Sequence, residues 1–166
     1  ICHQYLAADA PVERAVAVTV NSKCQRVEVC NALETLLVDV QSGERLLPEL
    51  KQAFDAENLT ISGCARARAV LPDIAVATEE DWSTEYLDRI LSVRIVDGVT
   101  EAIEHIITYG SGHTDGIITD DIATARQFVA GVDASSVLVN ASTRLSGGGD
   151  YGMGAVVGIS TDKLHA

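Results

Sequence analysis

Basic residues are few in this sequence: 12 Lys and Arg stand against 24 Asp and Glu, and the net charge is −12. Such a surface repels nucleic-acid phosphates and anionic lipid, so neither is an expected partner. It also repels an anionic substrate at long range. Any phosphate site must therefore be assembled from local cations and backbone amides. Runs of apolar residues long enough to span a bilayer are missing as well. The four cysteines, Cys2, Cys24, Cys30 and Cys64, form no C-x-x-C pair, and no His or Cys lies at zinc-finger spacing from them, so no metal is expected. Neither a signal peptide nor a repeat or low-complexity tract is legible, and reduced thiols in a cytoplasmic protein are the expectation. Ile1 leads straight into an apolar, strand-like stretch, which reads as a fragment boundary, and neither end reads as a second folded domain.

What is there suffices for one domain. A chain of 166 residues with 47% hydrophobic residues buries roughly 70% of its unfolded surface at this size without a disulfide or metal staple. Residues 1–166 are read as a single unit.

Apolar periodicity predicts a helix from Pro11 to about Ser22, a polar stretch from Asn21 to Asn31, and a buried strand from Leu33 to Val40. A helix follows over Glu44 to Ala56, then a short strand over Leu59 to Cys64, weakened by Gly63 near its end, and a short helix over Ala65 to Val70. Further on come a strand (Leu91 to Val96) and a helix (Thr100 to Tyr109, with Thr100 as N-cap and Gly110 as C-cap). The pattern repeats with a strand at Gly116 to Thr119, a helix at Asp121 to Val132 and a strand at Ser136 to Asn140. Ala141 to Ile159 is Gly-rich and irregular. Strands alternating with helices of this length mean β-α-β crossovers, hence an α/β fold with a parallel sheet between two helical layers. Sites in such sheets usually sit at the carboxyl ends of strands. Asn140 ends a strand, so the segment it opens is a site candidate on topology alone.

Cys30 is the first chemical candidate, in a polar loop before a buried strand. A thiol near cations or oriented amides becomes a strong nucleophile, and Lys23 and Arg26 are close in sequence. The plainer reading is a small, buried apolar residue. Glu85 lies in an acidic run with Glu79, Glu80 and Asp81, where a solvated face is the plainer reading. Arg144, beside Ser142 and Thr143, offers a bidentate partner for carboxylate or phosphate; an ordinary polar loop is the alternative. His113, in GSGHTDG, titrates near neutrality and would bind phosphate, protonate a leaving group, or merely cap its loop. His3, His105 and His165 carry no supporting pattern and are assigned structural or solvated roles. The triple glycine Gly147, Gly148, Gly149 does not open a helix after a strand, so it makes a weak phosphate cradle.

The stretch VCNALETLLV resembles the active-site segment of γ-glutamyl phosphate reductases, members of the aldehyde dehydrogenase superfamily. CHQYLAADAPVERAV, ATEEDWSTEYLDRILSVRIVD, YGSGHTDGIITDD and VNASTRLSGGGDYGMGAVVGISTDKLHA match further segments of that family in the same order. The resemblance covers nearly the whole chain. It implies a three-layer catalytic domain of the aldehyde dehydrogenase type without the family's nucleotide-binding domain. It also implies NADPH-dependent reduction of L-glutamyl 5-phosphate to L-glutamate 5-semialdehyde and phosphate, a step of proline biosynthesis. Cys30 is then the nucleophile, with its backbone amide as an oxyanion donor. Glu85 would bind the nicotinamide ribose, and Asn31, His113, Ser142, Thr143 and Arg144 would bind substrate. The sequence departs from the family pattern at Val27, Cys24, Leu145, Gly147 and Val156. The alternatives are an inactive fragment that serves as a fold or oligomerisation unit, and a reductase acting on another acyl phosphate. A thiol-reactive structural protein is the most distant. The domain alone would expose apolar surface and self-associate into a homo-oligomer.

Overall fold

The computed structural model describes residues 1–162; Lys163 to Ala166, and with them His165, lie outside the described residues. The chain runs β1 (Cys2–Leu6), α1 (Val12–Cys24), β2 (Leu33–Asp39), α2 (Gly43–Ala56), β3 (Thr60–Gly63), α3 (Ala65–Val70), β4 (Ala75–Val76), β5 (Ile90–Val96), α4 (Val99–Tyr109), β6 (Thr114–Ile118), α5 (Ile122–Gly131) and β7 (Ser136–Val139). Short 3-10 turns sit at Glu80–Ser83 and Thr143–Leu145. The strands form one seven-stranded sheet in the order β4-β3-β5-β2-β1-β6-β7, and every pairing is parallel. The expected α/β architecture is present.

Side chains alternate across each strand, so neighbouring residues feed two separate cores. Leu36 and Val38 of β2, with Val93 and Ile95 of β5, pack against Leu46, Leu47, Leu50 and Phe54 of α2 and Ala15 of α1. Leu37 and Val96 point the other way, into a cluster with Tyr5, Ala102 and Ile106 of α4, Ile117, and Phe128 of α5. Strands buried on both faces read as continuous apolar runs, which is why LETLLVD is legible as a strand. Phe54, 1% exposed, anchors the first core; truncating it to Ala costs about 3–5 kcal/mol by the usual cavity argument.

Three local expectations need correction. Helix α1 continues to Cys24, so Cys24 closes a helix rather than lying within a polar stretch that begins at Asn21. Helix α4 begins at Val99, and its N-cap is Gly98 at φ 94, a left-handed conformation that glycine adopts without steric cost; Thr100 is inside the helix. Gly63, expected to weaken β3, is there for closeness: a Cβ on it would lie 2.4 Å from Ile74 Cδ1. Among the described residues no helix is long and apolar enough to cross a membrane.

Candidate active site

The residues that carry chemistry gather at the amino ends of the central strands. The loop from Gln25 to Ala32 connects α1 to β2 and holds Cys30 exposed at its tip. Cys2, the first residue of β1, fixes that loop from below: its thiol donates to the Cys30 carbonyl at 3.2 Å. Cys2 is buried, and burial pushes its thiol up to about 12, so it stays protonated as a donor. His113 immediately precedes β6. Its Nδ1 lies 2.8 Å from Thr114 Oγ1 and 3.9 Å from Cys2 Sγ.

The last part of the site arrives from the opposite end of the sheet. Asn140, at φ 56, turns the chain back after β7; its side chain bridges Thr119 N (3.0 Å) and Thr119 O (2.8 Å), and Asn tolerates this left-handed backbone better than most residues. The returning segment then docks along α1. Ser22 donates to Ser142 Oγ at 3.1 Å and accepts from the Thr143 amide at 3.2 Å. It ends beside Thr114, whose hydroxyl donates to Ser146 Oγ at 2.9 Å, while Ser146 donates to the Thr143 carbonyl at 2.9 Å. The topological expectation of a site at the carboxyl ends is thereby corrected. The segment starts there, but the two-residue anchorage on Ser22 carries it to the amino edge.

A cavity of about 550 Å³ opens here, lined by Cys30, Asn31, His113, Thr114, Arg144 and Ser146 together with the following glycines, Val156, and Gly158 to Thr161. Asn31 is 7% exposed and holds Arg144 from two sides. Its Oδ1 accepts from the guanidinium, and its Nδ2 donates to the Arg144 carbonyl at 3.4 Å. Arg144 Nε is buried and has no hydrogen-bond partner among the described residues. A donor left so is costly unless something external satisfies it.

Ser142 and Thr143 are not in the cavity wall. Both are buried, and the Ser142 hydroxyl is occupied by Ser22 and by the Arg144 amide at 3.2 Å. Lys23 and Arg26, near Cys30 in sequence, divide as well: Lys23 is completely buried and its ammonium donates to Glu34 at 2.7 Å, whereas Arg26 is exposed. Glu85 is exposed on the segment between the 3-10 turn and β5. It lies just ahead of the amino end of β5, which puts it on the same edge as Cys30. Among the described residues nothing hydrogen-bonds its carboxylate. A free carboxylate at the rim fits an acceptor for two ribose hydroxyls.

Burial lowers the pKa of His113, so the ring is neutral at neutral pH. The directional chain from Thr114 to Ser146 to the Thr143 carbonyl leaves the Thr114 oxygen to accept from His113 Nδ1–H. The Nε2 lone pair is then the one available to a ligand. Sequence reading did not find Cys2, Thr114 or Ser146. Only the hydroxyl next to His113 in GSGHTDG hinted at a relay; Cys2 and Ser146 are brought in by strand register and by the turn at Asn140.

No family model matches the chain. It is 55% identical, over 166 residues, to a γ-glutamyl phosphate reductase of a Nitratiruptor species, covering 100% of this chain and 40% of that protein. The crystal structure of a γ-glutamyl phosphate reductase from Thermotoga maritima superposes with a TM-score of 0.96 at 43% identity, covering 99% of this chain and 40% of that one. An acetylating aldehyde dehydrogenase from Geobacillus thermoglucosidasius has the same fold, with a TM-score of 0.69 at 23% identity over 90% of this chain and 42% of that one. Over its whole length, therefore, this chain is homologous to γ-glutamyl phosphate reductases and corresponds to about 40% of such a protein.

Proposed function

We propose that the chain is the nucleophile-bearing catalytic unit of a reductase that converts L-glutamyl 5-phosphate to L-glutamate 5-semialdehyde and phosphate, in the cytoplasmic synthesis of proline. The observation that carries this reading is the exposed Cys30 thiol at a cavity that also presents a guanidinium and a neutral imidazole. These are the groups an acyl phosphate needs: a nucleophile for the carbonyl, a cation for an anionic end, and a proton carrier for the leaving phosphate.

The step starts with Cys30. Its sulfur attacks the acyl carbonyl as the thiol proton passes to His113 Nε2. The carbonyl π electrons move onto oxygen, where the Cys30 backbone N–H stabilises the oxyanion. Collapse expels phosphate, which takes the proton from His113, and leaves a thioester on Cys30. NADPH, when bound, supplies the hydride that takes the acyl group to the aldehyde level. The side chains contributed here are Glu85, for the ribose hydroxyls, and Arg144, for the substrate's carboxylate or phosphate. Asn31 orients the guanidinium from the cavity wall. Ser142 and Thr143 serve substrate binding through the backbone they hold against Ser22, since their side chains face inward.

In this reading residues 1–166 work beside a nucleotide-binding region contributed by other residues. The chain alone is then an incomplete enzyme that self-associates through exposed apolar residues such as Ile107 and Ile122, which are 64% and 66% exposed. The test is the reverse reaction. Glutamate 5-semialdehyde, phosphate and NADP⁺ are supplied to a polypeptide carrying this chain with a nucleotide-binding region, and NADPH formation is followed. Phosphate-dependent turnover that disappears in Cys30→Ala is expected. Turnover that survives the substitution would remove Cys30 from the mechanism.

A further inference from the structure

Behind the loop that carries Cys30 lies a pair of opposite charges with almost no solvent. Lys23, in the last turn of α1, donates from Nζ to Glu34 Oε2 at 2.7 Å, and the two side chains are 0% and 1% exposed. Glu34 is the second residue of β2. The pair therefore closes the two ends of the Cys30 loop on each other. Burial lowers the Lys23 pKa and raises that of Glu34, and each charge offsets the other's shift. Desolvation of such a pair about cancels its attraction, so it adds little to stability.

Its second oxygen does something else. Glu34 Oε1 accepts from the Leu87 amide at 3.3 Å. Leu87 is 44% exposed and sits at φ 52, a left-handed backbone that costs a bulky residue on the order of 1 kcal/mol or more unless its surroundings hold it there. An exposed leucine has little packing to do that. The holding contacts are the Glu34 bond and the neighbouring Tyr86 hydroxyl, 2.5 Å from Asp81 and 2.8 Å from Ser92. Glu85 is carried by the same short segment.

We propose that Glu34, with Lys23, is a positioning residue that fixes the Glu85 segment to the nucleophile loop, so that the cofactor-side carboxylate and Cys30 keep one relative placement. The proposal rests on the reading of Glu85 given above only for its consequence in catalysis; the placement itself does not depend on it. A buried ion pair spends its attraction on geometry here, a role better attested for such pairs than net stabilisation.

Two double variants separate positioning from stability. Lys23→Met/Glu34→Leu removes both charges and the acceptor. Lys23→Met/Glu34→Gln removes both charges and keeps a carbonyl for Leu87. In the polypeptide used for turnover, the Leu variant is expected to exchange its Leu87 amide with deuterium at least tenfold faster. Its KM for nicotinamide nucleotide should rise about tenfold (a factor of 10 is about 1.4 kcal/mol), with kcat and Cys30 alkylation by iodoacetamide within twofold of the parent. The Gln variant should restore both the exchange rate and KM. Unchanged Leu87 exchange in the Leu variant, or equal exchange in the two variants, would overturn the placement. If exchange follows the expected pattern but Glu85→Gln leaves KM for nucleotide unchanged, the placement stands and the reading of Glu85 falls.

Discussion

The two ends of the parallel strands dispose of their polar groups in opposite ways. At the carboxyl edge a cavity of about 300 Å³ is lined by Tyr5, Asp9, Asp39, Gly98 and Asp121, where binding sites of parallel sheets usually lie. Every one of those carboxylates is already engaged. Asp9 accepts from the Thr119 hydroxyl (2.6 Å) and the Asp120 amide (2.8 Å). Asp39 accepts from Tyr5 (2.6 Å) and the Gln41 amide (2.9 Å), and Asp121 caps α5. At the amino edge the thiol of Cys30 and the Glu85 carboxylate are exposed, and neither Arg144 Nε nor Glu85 has a hydrogen-bond partner among the described residues. The contrast teaches that a site forms where the fold leaves polar groups uncommitted. Strand polarity alone does not decide it.

Arg144→Ala should separate the edges most strongly. Removing a charged hydrogen-bonding group from substrate costs about 2–3 kcal/mol, so kcat/KM for the acyl phosphate should fall by about 30- to 160-fold. Arg144→Lys should recover only part of it, because a point charge does not replace a planar fork. Steady-state kinetics of both variants decide; parent values of KM and kcat in Arg144→Ala would move the anion site elsewhere.

Tyr5→Phe makes the converse case. The Tyr5 hydroxyl donates to the buried Asp39 carboxylate; burial first, and that bond second, raise the Tyr5 pKa and keep it a donor. Losing a bond to a charged acceptor costs about 1.5–3 kcal/mol of stability. Urea unfolding should show that loss while alkylation of Cys30 and turnover stay within twofold of the parent. A large loss of turnover without a loss of stability would make the carboxyl edge functional after all.

The two edges were also unequally legible. Strands β2 and β5 and helices α2 and α5 follow from apolar runs and 3.6-residue spacing, and Asp121 was readable as the start of a helix. The 3-10 turn at Glu80–Ser83 and the two-residue strand β4 were not readable, because both are held by tertiary partners: Trp82 packs edge-on to His105, and β4 pairs with β3. Around the site, Cys30, Asn31, His113 and Arg144 were visible as residue types, and the cavity brings all four together. That Lys23 faces Glu34 rather than Cys30 was not visible, since a helix end two residues longer than expected turns its ammonium inward. Nor was the return of the 140–146 segment to the amino edge. It depends on one left-handed Asn and on Ser22, which has no local signature of that task.

A scaffold residue between the edges supplies the smallest effect, one that vanishes at neutral pH. His105 in α4 is 4% exposed, packed among the rings of His3, Trp82 and Tyr109, and neither of its ring nitrogens has a partner among the described residues. Burial, with His3 and Arg94 adding to it, pushes its pKa to about 3 from an ordinary 6.5. Between those values the unfolded chain takes up a proton that the folded chain refuses. The stability linked to His105 is therefore fully present above pH 6.5 and declines as pH falls toward 3, by up to about 1.4 kcal/mol per pH unit. His105→Phe keeps a ring and strands no polar atom, so at pH 7.5 its stability should lie within about 1 kcal/mol of the parent. At pH 5 the variant should have gained about 2 kcal/mol on the parent, relative to their difference at pH 7.5, because a 1.5-unit stretch of the slope is gone. Urea unfolding at both pH values measures this. Parallel acid limbs would mean that the ring is hydrated in solution.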